Sequence, residues 1–340
     1  TQLLQHCHAD PHDKLLVATQ LSAFYKQDIT IHADEDIDAF FRSHPNTVTH
    51  QFVALLLLQQ AQCAGNSYIE LDNLVDNSFF YSMDSDHPTQ YALEHGVLMS
   101  GVQCSSYQEI ETSIQALIDH PLHGHLLVVD NGRLFSRKIY EYEQFISEQI
   151  SHKITTSTAP LNPKVKTVFE QLYPHPIKNI WQAIASVTAL NQSFFIINGG
   201  PGTGKTYTVI RTLLLHLVQA NKRLNIALCA PTGKAAQRLS ESILNEVEYL
   251  NGQGIAPELL ASIPTSASTV HRLLGLGYSR NFAKYHAGNP LPHDILVIDE
   301  ASMLDTRLMF RILSGVKPSS RMLLIGDTAQ LPSVESGNIL

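Results

Sequence analysis

Midway through the chain an apolar run ends abruptly in glycine. Phe194-Phe195-Ile196-Ile197-Asn198 is followed at once by Gly199-Gly200-Pro201-Gly202-Thr203-Gly204-Lys205-Thr206, and then by apolar residues at helical spacing. The middle segment matches GxxxxGK[ST], and the pattern dictates geometry. A strand must deliver such a loop and a helix must receive it, so that backbone N–H groups and the positive end of the helix dipole converge on phosphate. Lys205 then reaches the β- and γ-phosphates, and the Thr206 hydroxyl is offered to Mg²⁺. A mere glycine turn would not need strand, loop and helix in register. Gly199, Gly200, Pro201, Gly202, Thr203, Gly204, Lys205, Thr206 and the adjoining Tyr207 are therefore the candidate nucleotide-binding residues, with ATP and Mg²⁺ as the expected ligands.

The surrounding pattern sets the fold class. Asn225 to Ala230, Ile295 to Asp299 and Met322 to Gly326 are short, continuous apolar runs of the kind buried on both faces of a parallel sheet, with helical stretches between them. This predicts an α/β lobe with a doubly wound parallel sheet and its chemistry at the carboxyl ends of the strands. One of these strands ends in Asp299-Glu300. Asp299 is expected to hold the Mg²⁺ shell. Glu300, one residue on, is placed to orient and deprotonate an attacking water. Two carboxylates at a strand end often serve only as a helix cap; the glycine-rich loop in the same lobe favours the catalytic reading.

The first half of the chain has a different character. Residues 1 to 150 hold 6 Lys and Arg against 20 Asp and Glu, a net of −14, whereas residues 151 to 340 hold 17 against 11, a net of +6; the whole chain carries −8. An acidic half repels a phosphate backbone and the basic half can track one, so nucleic acid is expected to meet the second half. The acidic half either meets protein or simply solvates its surface. Val48 to Gln62 reads as a buried helix. Leu126 to Phe135 reads as two strands joined at Asn131-Gly132, and Tyr140 to Ile150 as a helix. This predicts a smaller, mainly helical N-terminal domain with a β-hairpin over 1–152. A Thr-, Ser- and Pro-rich linker is expected over 153–166, and the nucleotide lobe over 167–340.

Several classes are disfavoured. Cys7, Cys63, Cys104 and Cys229 form no CxxC, so neither a disulfide framework nor a zinc site is indicated. The histidine groups His6, His8, His12 and His120, His123, His125 lack firm ligand spacing and read as surface or packing residues. The longest apolar run, Phe52 to Leu58, is far below the ~20 residues that span a bilayer, and no leader pattern opens the sequence. No membrane association and a cytoplasmic location are expected.

Three further segments narrow the class: Ala230-Pro231-Thr232-Gly233-Lys234-Ala235-Ala236-Gln237-Arg238-Leu239, Thr269-Val270-His271-Arg272-Leu273-Leu274-Gly275, and Gly326-Asp327-Thr328-Ala329-Gln330-Leu331-Pro332. Together with Asp299-Glu300-Ala301-Ser302, in this order, they resemble the motifs of superfamily 1 helicases of the RecD family. The resemblance covers roughly residues 180 to 340. It implies a RecA-like P-loop NTPase lobe in which Lys205, Glu300 and Gln330 are catalytic, Gln330 sensing the γ-phosphate through an amide that can both donate and accept. It also implies that Gln182 reads adenine. Pro231, Thr232, Lys234 and Arg238 would contact single-stranded DNA, with His271 and Arg272 as a second backbone contact. From the residues alone, a plain strand-to-helix turn competes with DNA contact at Thr232, and His271-Arg272 could equally be a helix cap.

The stretch near 276–292 resembles the family's small β-hairpin pin, whose Tyr278, Phe282 and Tyr285 would stack on bases while Arg280 and Lys284 meet phosphates; an ordinary loop is the competing reading. The family further implies a 5′ to 3′ motor on single-stranded or duplex-end DNA. This motor would work in a heterotrimer with RecB and RecC that repairs double-strand breaks and degrades linear DNA, with the nuclease site elsewhere and the acidic domain docking on RecC. A superfamily 1 motor closes ATP between two RecA-like lobes. Only ten residues follow Gln330, so the second lobe is expected to be absent and the activity of this stretch alone to be small. The alternatives are a free-standing RecD-like helicase, or a P-loop ATPase or DNA-binding adaptor that is not a motor.

Overall fold

The computed structural model describes residues 47–75, 78–79, 102–103, 106–119, 124–154, 160–177, 179–276 and 283–327. The chain forms two compact units that divide between Glu141 and Tyr142.

In the first unit, α1 (Thr47–Cys63) buries Val53, Ala54, Leu56, Leu57 and Leu58, an almost unbroken run. A helix apolar on so many sides must be covered on more than one of them. β1 (Tyr68–Glu70) packs against it, and β2 (Ser78–Phe79) pairs with β3 (Val102–Gln103). α2 (Tyr107–Ile118) meets α1 with the stripe Ile110, Ile114 and Leu117. Gln51 Nε2 donates to the Ser113 carbonyl at 2.7 Å and so ties the two helices polar to polar. β4 (Leu127–Asp130) and β5 (Arg133–Ser136) form the expected hairpin, and the sheet order is β1-β5-β4, antiparallel throughout. Its two turn residues, Asn131 (φ 50°) and Gly132 (φ 75°), both sit in the left-handed region, as the tightest hairpin turns require.

α3 (Arg137–Ile154) is longer than its sequence signal, and the division between the units falls inside it. The expected boundary at 153–166 is thus displaced, for a physical reason. Ile146 and Lys153 on the later turns are buried, and Lys153 Nζ donates to the carbonyls of Pro318 (3.3 Å) and Ser320 (2.8 Å). Those turns belong to the second unit. The C-terminal part of the expected linker is itself helical: α4 (Pro163–Leu172) starts with proline in its first turn, and the Asn162 side chain accepts from Lys164 N–H at 3.0 Å.

The second unit is the predicted α/β lobe. α5 (Ile180–Ala189) leads into β6 (Phe194–Asn198), α6 (Lys205–Ala220), β7 (Ile226–Ala230), α7 (Gly233–Gly252) and the single turn α8 (Pro257–Leu260). β8 (Ser268–Thr269), α9 (Val270–Leu274), β9 (Ile295–Ile298), α10 (Thr306–Gly315) and β10 (Arg321–Gly326) follow. The sheet order is β6-β10-β9-β7-β8 and every pairing is parallel. Alternate residues of the strands enter two separate cores. Ile197, Leu228, Val297, Leu323 and Ile325 pack under α4 to α8; Phe194, Ala227, Cys229, Leu296, Ile298, Met322 and Leu324 pack against α9, α10 and the end of α3. Burial on both faces explains why β7, β9 and β10 read as continuous apolar runs rather than alternating ones, whereas the edge strand β6 leaves Ile196 exposed. α6 is buried without a break from Thr208 to Leu217, because α4, α5 and α7 all lie on it.

Candidate nucleotide site and nucleic-acid edge

All five parallel strands end at one edge of the sheet, and the sequence candidates gather there in an order set by the sheet. β6 delivers Gly199–Thr206, β10 delivers Asp327, β9 delivers Asp299-Glu300, β7 delivers Pro231-Thr232 and β8 delivers Val270-His271-Arg272. The candidate nucleotide residues thus follow β6 and β9, and the basic segments follow β7 and β8. Along this order the loop after β6 lies three strand spacings from the β7 segment, about 14 Å at the usual inter-strand distance, and four from the β8 segment.

The loop after β6 is held by its own backbone. Thr203 Oγ1 donates to the Gly200 carbonyl at 2.8 Å, and Gly199 N–H continues the sheet to the Gly326 carbonyl at 3.2 Å. Gly204, the residue before α6, has φ +78°, and a Cβ there would lie 2.5 Å from Gln182 Nε2. No other residue fits both the backbone and the contact. Lys205 opens α6 and its ammonium turns back into the loop, donating to the Gly199 carbonyl and, at 3.1 Å, to that of Gly200. Thr206 follows on the first turn, half-buried.

Asp299 is half-buried at the end of β9. Its Oδ1 accepts the Glu300 N–H at 2.9 Å, and its own N–H donates to the Cys229 carbonyl at 2.9 Å. Burial raises its carboxyl above the ordinary range; the hydrogen bond from Glu300 N–H opposes this, the Glu300 charge adds to it, and Lys205 opposes it. Asp299 and Lys205 therefore feel each other across the strand ends. A buried carboxylate whose charge the fold leaves undercompensated suits a divalent cation. Glu300 adopts φ 52°, ψ 43°, an uncommon conformation for a residue with a side chain. Such strain, of order 1–3 kcal/mol, persists where the surroundings fix it and is concentrated at working sites.

Beside the loop lies a cleft of about 660 Å³ lined by Tyr173, Gln182, Thr203, Gly204, Tyr207 and Tyr249 among others. Gln182 Nε2 donates to the Thr203 carbonyl at 2.7 Å. That carbonyl can only accept, so the amide nitrogen must face it and Oε1 must face the other way. Oε1 is buried and has no hydrogen-bond partner among the described residues. Tyr207 is covered on one face by the Arg211 guanidinium, 3.2 Å from the ring centroid, and Arg211 is ion-paired with Glu246 of α7. Tyr173 donates to or accepts from Ser186 Oγ at 2.7 Å; burial pushes its phenol up to about 12.

At the other end of the edge, the Thr232 hydroxyl accepts from Ala235 N–H at 3.2 Å, so it caps α7. The Thr269 hydroxyl does the same for Arg272 N–H at 3.2 Å at the start of α9. Capping accounts for both threonines but not for the cations next to them. Lys234 and Arg238, one helical turn apart, are exposed, as are His271 and Arg272.

The AAA domain family matches residues 182–336. The RecBCD enzyme subunit RecD of Haemophilus influenzae is 33% identical over 296 residues, 84% of this chain and 46% of that protein. The RecD subunit of Mycolicibacterium smegmatis is 37% identical over 235 residues, 67% of this chain and 40% of that protein. The ATP-dependent RecD2 DNA helicase of Deinococcus radiodurans is 42% identical over 142 residues, 42% of this chain and 16% of that protein. This chain is a RecD homologue. It spans less than half the length of the curated relatives it matches.

For the RecD homologue the structure places Gln182 in the cleft beside the loop after β6, Asp299 and Glu300 at the end of the central strand β9, and Pro231, Thr232, Lys234, Arg238, His271 and Arg272 after β7 and β8 at the same edge. Gln330 lies outside the described residues, as do Tyr278, Arg280 and Phe282; within the remaining 283–292 stretch, His286 and Asn289 form an antiparallel bridge around a tight turn. His6, His8, His12, His120 and His123 also lie outside the described residues. Sequence reasoning missed Tyr173, Arg211 and Glu246. The one local signal was the four-residue spacing of Tyr207 and Arg211, which puts both on one face of α6. Among the described residues no helix is long and apolar enough to cross a membrane.

Proposed function

We propose that this chain binds and hydrolyses ATP as part of a 5′ to 3′ DNA helicase subunit. In this reading it acts in the cytoplasm with RecB- and RecC-type partners in a complex that processes duplex ends for double-strand-break repair and degrades linear DNA. The observation that carries the reading is the strand order, which sets a phosphate loop with its carboxylate pair and an exposed basic segment on the same edge of one sheet. A rigid sheet between the two lets occupancy of one be felt at the other.

Each residue has a definite task. The backbone N–H groups of Gly199 to Thr206 and the Lys205 ammonium hold the phosphates. Gln182 presents Oε1 as an acceptor because Thr203 fixes its amide; the exocyclic amino group of adenine satisfies that acceptor, and the O6 of guanine would repel it. Thr206 and Asp299 would hold Mg²⁺, which neutralises charge on the phosphates when bound. Glu300 takes the proton of the attacking water. Gln330 senses the γ-phosphate. Lys234, Arg238, His271 and Arg272 meet the phosphates of a single strand, and a helix N-terminus adds its dipole at each of the two segments. The acidic first unit, low in cations, serves for protein docking and not for DNA.

The test is ATP turnover with and without single-stranded DNA, in the native chain and in Glu300→Gln. Turnover stimulated by DNA and lost by about 10³-fold in a variant that still binds nucleotide supports the motor. Turnover indifferent to DNA would instead favour an ordinary P-loop ATPase or an adaptor whose nucleotide only regulates shape.

A further inference from the structure

We propose that Arg211, clamped by Glu246, is a positioning residue for the nucleobase: it fixes the Tyr207 ring as the platform on which the base of a bound nucleotide stacks. This rests on the nucleotide reading of the 199–206 loop. Tyr207 directly follows the loop, so a base joined to phosphates held there must lie near this ring. A tyrosine on the first turn of a helix is otherwise free to swing between rotamers, which would cost ordering entropy each time a base stacked on it. Arg211 removes that freedom. It stands one turn further along α6, so its guanidinium carbon lies over the Tyr207 ring, 3.2 Å from the centroid.

The guanidinium is itself tied from three sides. Nη1 is paired with Glu246 of α7 and lies 3.4 Å from the Tyr207 carbonyl, and Nε donates to the Leu172 carbonyl at 3.4 Å at the end of α4. The side chain is 2% exposed. The Tyr173 ring closes the group edge-on, with centroids 6.2 Å apart, and is pinned by Ser186. A tie between α6 and α7 alone would be made as well by apolar side chains, since burying two charges is expensive and an ion pair only offsets the cost. What apolar residues cannot supply is a planar cation that lies on an aromatic face while donating to a carboxylate and to carbonyls at its rim.

Binding of ATP and of inorganic tripolyphosphate separates the base from the phosphates. We expect Arg211→Met to weaken ATP about tenfold and to leave tripolyphosphate unchanged. Arg211→Lys keeps the buried charge and the pairing to Glu246 but loses the planar face; it is expected to show the same loss with a fold intact by thermal melting. Because Arg211 acts through Tyr207, Arg211→Met should cost nothing further in a Tyr207→Ala background. An unchanged ratio of ATP to tripolyphosphate affinity in both Arg211 variants, whatever their melting temperatures, would make the pair a structural tie and overturn the proposal. A further loss on top of Tyr207→Ala would also overturn it, by showing direct contact with the base. If native protein binds neither ligand, the phosphate-loop reading fails and this proposal falls with it.

Discussion

The two ends of the proposed nucleotide cleft are built in opposite ways. At the phosphate end the working groups come from eight consecutive residues, Gly199 to Thr206, bonded to one another at several points, with single ties outward to Gly326 of β10 and to Gln182 of α5. At the base end Tyr173 comes from the end of α4, Gln182 from α5, Tyr207 and Arg211 from α6, and Glu246 and Tyr249 from α7. The first end is a local conformation and the second is a consequence of helix packing. A local site can lose function without losing stability. A packed site cannot easily do so, because the contacts that shape it also hold the helices together.

The largest effect separating the two is expected from Lys205→Ala. Among the described residues the Lys205 ammonium donates to the loop carbonyls of Gly199 and Gly200, so its removal should weaken ATP and tripolyphosphate alike by ~100-fold. The melting temperature should hardly move. A variant that loses ATP but keeps tripolyphosphate would break the comparison by placing Lys205 with the base. A smaller effect is expected from Gln182→Ala, about tenfold on ATP, none on tripolyphosphate, and a reduced preference for ATP over GTP. Here stability should fall slightly as well, because the amide's bond to the Thr203 carbonyl joins α5 to the loop. Unchanged base preference would mean that Oε1 finds its donor elsewhere.

The same contrast explains what was legible in the sequence. The phosphate end demands particular residues in adjacent places, so Gly199 to Thr206 and Asp299-Glu300 could be read directly. Four of the five parallel strands were legible too, within a residue at their ends, because each is a continuous apolar run; β8, the polar pair Ser268–Thr269, gave no such signal. Glu246 is 35 positions from Arg211, and nothing but the packing of α7 on α6 brings them together. In sequence it is one acid among several on an amphipathic helix. Thr232 shows a third situation: its residue type suits both a cap and a phosphate contact, and the structure commits its hydroxyl to Ala235 N–H while leaving Lys234 and Arg238 exposed. The division of the units inside α3 was hidden because burial of Ile146 and Lys153 depends on the distant β10 segment and α10.

The smallest expected effect, a change in stability, tests the claim that the phosphate end is local but not relaxed. Burial and the neighbouring Glu300 charge hold the Asp299 carboxyl above its ordinary range, so the folded protein binds its proton more tightly than the unfolded chain does. Stability then falls as pH rises through that interval, and at neutral pH the ionised carboxylate is a net cost. Asp299→Asn keeps an acceptor for Glu300 N–H and removes the charge. It should raise the melting temperature by about 2–4 °C at pH 8, with the gain shrinking toward zero as the pH falls through the ordinary carboxylate range. The same variant should lose the Mg²⁺ dependence of nucleotide binding. If Asn instead lowers the melting temperature at pH 8, the Asp299 charge is a structural partner of Lys205, and the phosphate end is no less dependent on its neighbours than the base end.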